Sequence, residues 1–158
     1  MKLIRFTFAV LSLSILSLCV SAQTTAPALT AYYSVKDALV ATDASKARTG
    51  ANALIATLEK VDAVKLSVSG KKALATAKTK AVAISKSSDV AAQRAQFEVL
   101  STSMITLAKA TKPAKTYVQF CPMAAEGKGA SWLSDKPEVR NPYYGDKMLK
   151  CGSVKEEI

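Results

Sequence analysis

From Leu29 to Lys112, apolar side chains return every three or four residues, the interval that places them along one side of an α-helix. Tyr32, Val35 and Leu39 share a face in a first helix over about Leu29 to Ala41. Asp43 is placed to cap a second helix by accepting hydrogen bonds from its unpaired first-turn amides. In that helix Ala47, Ala51, Leu54, Leu58 and Val61 form the stripe, which Ile55 broadens. Ser67 to Gly70 reads as a break, because glycine lowers helix propensity. A third helix follows from about Lys71 to Ser85, with Leu74, Ala77, Ala81 and Ile84 inward. Ser87, Ser88 and Asp89 offer a new cap for a fourth, Val90 to about Ala110, whose inward positions are Phe97, Leu100, Met104 and Leu107. Pro113 stops it, since proline has no amide hydrogen and collides with the preceding turn.

Helices joined by such short loops pack as antiparallel neighbours, so the pattern predicts a mostly α fold: an up-down four-helix bundle over residues 23–112. Its many alanines let helices approach closely but fill little volume, which predicts modest stability from this core.

The pattern changes after Pro113. Residues 113–158 hold four of the five prolines, four of the six glycines and the single Trp. Thr116-Tyr117-Val118-Gln119-Phe120 is β-branched and aromatic and reads as a strand. Glu126 to Gly129 reads as a turn, and Ala130-Ser131-Trp132-Leu133 as a short returning strand. Asn141-Pro142-Tyr143-Tyr144-Gly145 is turn chemistry. Too short for a core of its own, this hairpin and loop tail is expected to fold onto the bundle as part of the same domain. Trp132 and Tyr143 or Tyr144 are the expected anchors.

The first residues carry a different message. Lys2 and Arg5 precede an apolar run from Phe6 to Val20, and Val20-Ser21-Ala22 ends in small residues at the positions a signal peptidase reads. This predicts export to the periplasm with cleavage near Ala22. The run is shorter than the ~20 apolar residues a membrane span needs, so no stable membrane insertion is expected after cleavage. Cys19 sits in a lipobox-like Leu16-Ser17-Leu18-Cys19, but Leu18 is bulky where acylation requires a small residue.

Cleavage lowers the formal net charge from +10 to about +8 and leaves two cysteines, Cys121 and Cys151. The basic residues are scattered, with no Arg-rich run among aromatics, so no nucleic-acid partner is expected. The chain has no histidine, which removes most general-base schemes, most zinc sites and any His-assisted copper(II) site. There is no Gly-x-Ser-x-Gly elbow, and Gly127-Lys128-Gly129 is too short for a phosphate loop. The expectation is a protein that is not an enzyme, with no catalytic residues.

Two short motifs remain: Cys121-Pro122-Met123 and Met148-Leu149-Lys150-Cys151. Each sets one thiol beside one thioether, and these soft donors select soft ions, above all Cu(I). Cys121, Met123, Met148 and Cys151 are therefore candidate metal ligands. The alternative is a disulfide, the usual fate of two cysteines in an oxidising compartment. Cys121–Cys151 would close a loop of about thirty residues, worth roughly 3–4 kcal/mol. An oxidised pair offers no thiolate, so the readings exclude each other on one molecule.

The chain also resembles a bacterial family known only as a domain of unknown function, by motif in the tail and more loosely, by pattern, in the helical part from Tyr32 to Ala110. The matching text runs Tyr117-Val118-Gln119-Phe120-Cys121-Pro122-Met123-Ala124, then Gly129-Ala130-Ser131-Trp132-Leu133-Ser134, then Arg140 through Gly152. Its members occur as small exported proteins and as domains on periplasmic membrane-fusion subunits of heavy-metal efflux systems. Cys-Pro-Met is also similar to the core of short heavy-metal-binding domains on copper exporters, which usually carry histidines that this chain lacks. The resemblance implies handling of copper or a related ion, with periplasmic efflux components as partners.

Overall fold

The computed structural model describes residues 25–158. The expected signal segment, its cleavage site at Ala22 and Cys19 lie outside the described residues. Among the described residues no helix is long and apolar enough to cross a membrane.

The chain forms four helices followed by a small three-stranded antiparallel sheet: α1 Ala26–Val40, α2 Ala44–Glu59, α3 Val68–Lys86, α4 Val90–Thr111, β1 Tyr117–Cys121, β2 Ala130–Ser134 and β3 Ser153–Glu157. Short 3-10 turns occupy Ala63–Lys65 and Gly145–Met148. Each helix packs against the next in sequence, and β2 lies on α4.

Caps set the helix starts. The Asp43 carboxylate accepts the Lys46 amide at 2.9 Å, and its acidity is raised by that bond. Asp89 accepts the amides of Ala91 and Ala92, both at 3.1 Å. Ser67 caps α3 by accepting from Gly70 N–H, so the expected break at Ser67 to Gly70 is instead the helix's first turn. A satisfied first turn outweighs the roughly 1 kcal/mol helix cost of one glycine. α4 ends with Lys112 in the left-handed region, its N–H bonded to Ala108 O, one residue before Pro113.

The predicted stripes are buried: Tyr32, Val35, Leu39, Ala47, Ala51, Leu54, Leu58, Leu74, Ala77, Ala81, Ile84, Phe97, Leu100, Met104 and Leu107 line one core. Small residues set how closely α1 and α2 approach. A Cβ on Gly50 would come 3.1 Å from the Val35 backbone nitrogen, so any larger residue pushes the pair apart. Tyr32 joins three elements. Its ring stacks on Phe97 at 5.2 Å, and its hydroxyl meets Ser101 Oγ at 2.7 Å and accepts the Leu133 amide at 3.2 Å.

The sheet order is β2-β1-β3, with β1 in the middle. β1 and β2 pair from Tyr117↔Ser134 to Cys121↔Ala130, so the predicted hairpin is present. The tail differs from the expected hairpin and loop in having a third strand. β3 pairs with β1 around a bulge at Val118/Gln119 and is exposed along its length. Ser153-Val154-Lys155-Glu156-Glu157 lacks apolar alternation and carries strand-disfavoured glutamates, so its pattern resembles a terminus. Ion pairs from Lys109 to Glu156 and from Lys115 to Glu157 hold it.

Candidate site: a thiol pair at the end of the sheet

β1 ends at Cys121, whose side chain is fully buried. The chain then makes a left-handed turn, with Ala125, Glu126, Gly127 and Gly129 all at positive φ, before returning as β2. Cys151, half-buried, comes back from the other side, just ahead of β3. The two thiols are unbonded and their Sγ atoms lie 2.6 Å apart. That is well inside sulfur contact distance and near the ~2.05 Å of a disulfide. The pair therefore meets in space, as a bridge requires; a shared ion, with metal–sulfur bonds of about 2.3 Å, needs the two sulfurs to part by about 1 Å. The proton shared with Cys121 pushes the Cys151 pKa up, burial and the neighbouring thiol's charge add to this, and the Met123 amide opposes it.

Both methionines are tied to the pair through backbone. The Met123 amide faces the Cys151 sulfur, and its side chain is 52% exposed. Its carbonyl accepts the Tyr144 hydroxyl. Met148 is half-buried at the end of the second 3-10 turn, and its carbonyl accepts the Cys151 amide at 3.0 Å. Among the described residues no group of three His, Cys, Asp or Glu side chains converges.

Two residues that the sequence pattern did not single out organise the loops of the tail, and one of them holds the backbone of Cys151. Asn141 is fully buried at the centre of the loop that carries Cys151. Its N–H donates to Leu149 O at 2.8 Å and its Nδ2 to Cys151 O at 3.0 Å, while its Oδ1 accepts the Tyr143 amide at 2.8 Å. Gln119, on β1, is also buried. Its Nε2 donates to the carbonyls of Lys136, Pro137 and Glu138 at 3.0, 3.2 and 3.1 Å, gathering the loop after β2. The Asn-Pro pair signalled a turn. Which backbone groups these amides would bind depends on chain brought in from elsewhere, so local pattern carried no signal for it.

The expected anchors are in place. Trp132 is fully buried, and Tyr143 sits between it and Phe97 with ring centroids 5.9 and 5.8 Å away, its hydroxyl donating to Ser131 O at 2.7 Å. Burial holds the Tyr143 hydroxyl well above the ordinary tyrosine range. Arg94 of α4 reaches the same loop, donating through Nε to Pro142 O and through Nη2 to Leu39 O, both at 2.9 Å. Gly145, at φ +59, fits beneath it: a Cβ there would come 2.5 Å from Thr42 Oγ1 and 2.8 Å from Arg94 Nη2. An open cleft of about 390 Å³ beside the turn is lined by Arg94, Glu98, Glu126, Lys128, Tyr143 and Tyr144.

The fold and its thiol pair define a small helical-bundle domain with an antiparallel sheet docked on its last helix. Its family is known: the family model described as "Protein of unknown function (DUF3347)" matches residues 28–116, and the chain belongs to that family. The matched stretch covers the four helices except the first two residues of α1 and stops one residue before β1, so both Cys121 and Cys151 lie beyond it. No curated protein and no solved structure matches the chain.

Proposed function

We propose that this is an exported, non-catalytic soft-metal-binding protein, an accessory to heavy-metal efflux, that takes up Cu(I) between Cys121 and Cys151. Met123 and Met148 flank the ion as thioether donors. The observation that carries this is the meeting of the two thiols at the end of β1, with an amide N–H facing the Cys151 sulfur. Thiolates with thioethers favour Cu(I) over harder ions, and a chain without histidine gives copper(II) and zinc little to bind. Periplasmic efflux components are the partners this reading calls for. An up-down course of the helices belongs to the same reading, supported by the packing of each helix on its sequence neighbour.

A second reading is favoured by one observation: Cys121 is fully buried and its sulfur already lies 2.6 Å from that of Cys151. In an oxidising compartment the pair becomes a disulfide that staples the tail, and the protein acts as an interaction module.

Thiol counting on the mature protein, purified anaerobically, separates the two. Two thiols that become unreactive on addition of one Cu(I), with uptake lost in Cys121→Ser and weakened in Met123→Leu/Met148→Leu, support the metal site. An absence of thiols until reductant is added, with copper uptake indifferent to both methionines, leaves the staple.

A further inference from the structure

We propose a second functional surface, independent of the thiol pair: the corner between α2 and α3 docks peripherally on an anionic phospholipid bilayer. Val64 and Val68 are 85% and 87% exposed, the barest large apolar side chains among the described residues, and they share this corner. Single exposed valines are ordinary on protein surfaces. Here two lie four residues apart where the connection from α2 enters α3, with exposed lysines before, between and after them in the chain. Lys60 follows α2, Lys65 closes the 3-10 turn, and Lys71 and Lys72 lie in the first turns of α3, all exposed. The acidic residues of the corner are Glu59 and Asp62. The Asp62 carboxylate is already engaged by the Val64 amide at 3.0 Å and by Lys65 Nζ at 3.7 Å. The corner thus keeps a net positive charge on a chain that is itself strongly basic.

Shape and charge together select the occupant. The corner lies away from the cleft beside the turn, none of whose lining residues it supplies. Short exposed aliphatic tips with long cationic side chains close by in the chain suit a headgroup layer. The valines reach the acyl boundary, while the lysine stems lie along it and place their ammonium groups among the phosphates. Among the described residues no helix is long and apolar enough to cross a bilayer, and the contact proposed is with its surface.

Co-sedimentation of the mature protein with vesicles rich in phosphatidylglycerol, against pure phosphatidylcholine vesicles, tests this. The expected result is binding to the anionic vesicles only, weakening as salt is raised. Val68→Asp should lower the bound-to-free ratio at least about fivefold. Val154→Asp adds the same charge on β3 and should change it far less. Both sites are exposed, and circular dichroism checks that the variants fold. No binding to anionic vesicles at low salt overturns the proposal. So does an equal loss in Val154→Asp, which would reduce the effect to net charge.

Discussion

The two halves of this molecule are held by different kinds of interaction. The helices are built from many small, similar contributions: alanine and leucine stripes, side-chain caps and short loops. The sheet and its loops depend on a few irreplaceable groups, namely Trp132, Gln119, Asn141, Tyr143 and the thiol pair. Losing one alanine contact in the first half removes one part among many. Losing the Gln119 amide in the second takes the donor from three backbone carbonyls at once. A repetitive region degrades by increments, whereas a loop-rich one fails at single points.

This contrast can be broken most severely at Trp132. Trp132→Ala removes the largest buried side chain and should cost about 3–5 kcal/mol in urea unfolding. A loss below 1 kcal/mol would show that the tail contributes little to the shared core. Next is Asn141→Ala, expected to cost about 1–3 kcal/mol by leaving the Cys151 carbonyl and the Tyr143 amide unpaired. The same variant should speed alkylation of Cys151. Unchanged alkylation would mean that Asn141 does not hold that thiol in place. At the small end, Asp89→Ala in the helical half should cost about 1 kcal/mol, the ordinary value of a helix cap.

Alkaline pH sharpens the same contrast, because the tyrosines between the halves have raised pKa values. Burial is the leading cause at Tyr32, Tyr33 and Tyr143, and Tyr33 is pushed up to about 12. In the unfolded chain these hydroxyls ionise near the ordinary value of 10.0, before they do in the fold. Their contribution is therefore complete below pH about 10 and declines as pH rises above it. Tyr33→Phe should flatten that decline, as followed by unfolding midpoints across the range. An unchanged slope would assign it to other groups.

How far the sequence foretold each half follows from the same physics. Helical stripes, Asp43, Asp89 and Pro113 act over three or four residues, so a reader of one chain can see them. β1 and β2 were legible for a similar reason, because their β-branched and aromatic residues flank a glycine turn. β3 was not, since an exposed strand needs no apolar face and takes its conformation from β1. Cys121 and Cys151 stood out by residue type, and their meeting is plain in the structure. Asn141 and Gln119 did not, because a polar side chain in a loop-rich stretch is ordinary until its burial is known.

The order of the sheet bears on how the chain must be made. The middle strand, Tyr117–Cys121, is synthesised well before its second neighbour, Ser153–Glu157. Until those residues arrive, one flank of the middle strand presents open amides and carbonyls to any extended peptide nearby. A chain without Ser153–Glu157 would keep its helices and still carry that sticky flank. Self-association, rather than unfolding, would then be the first sign that the strand is missing.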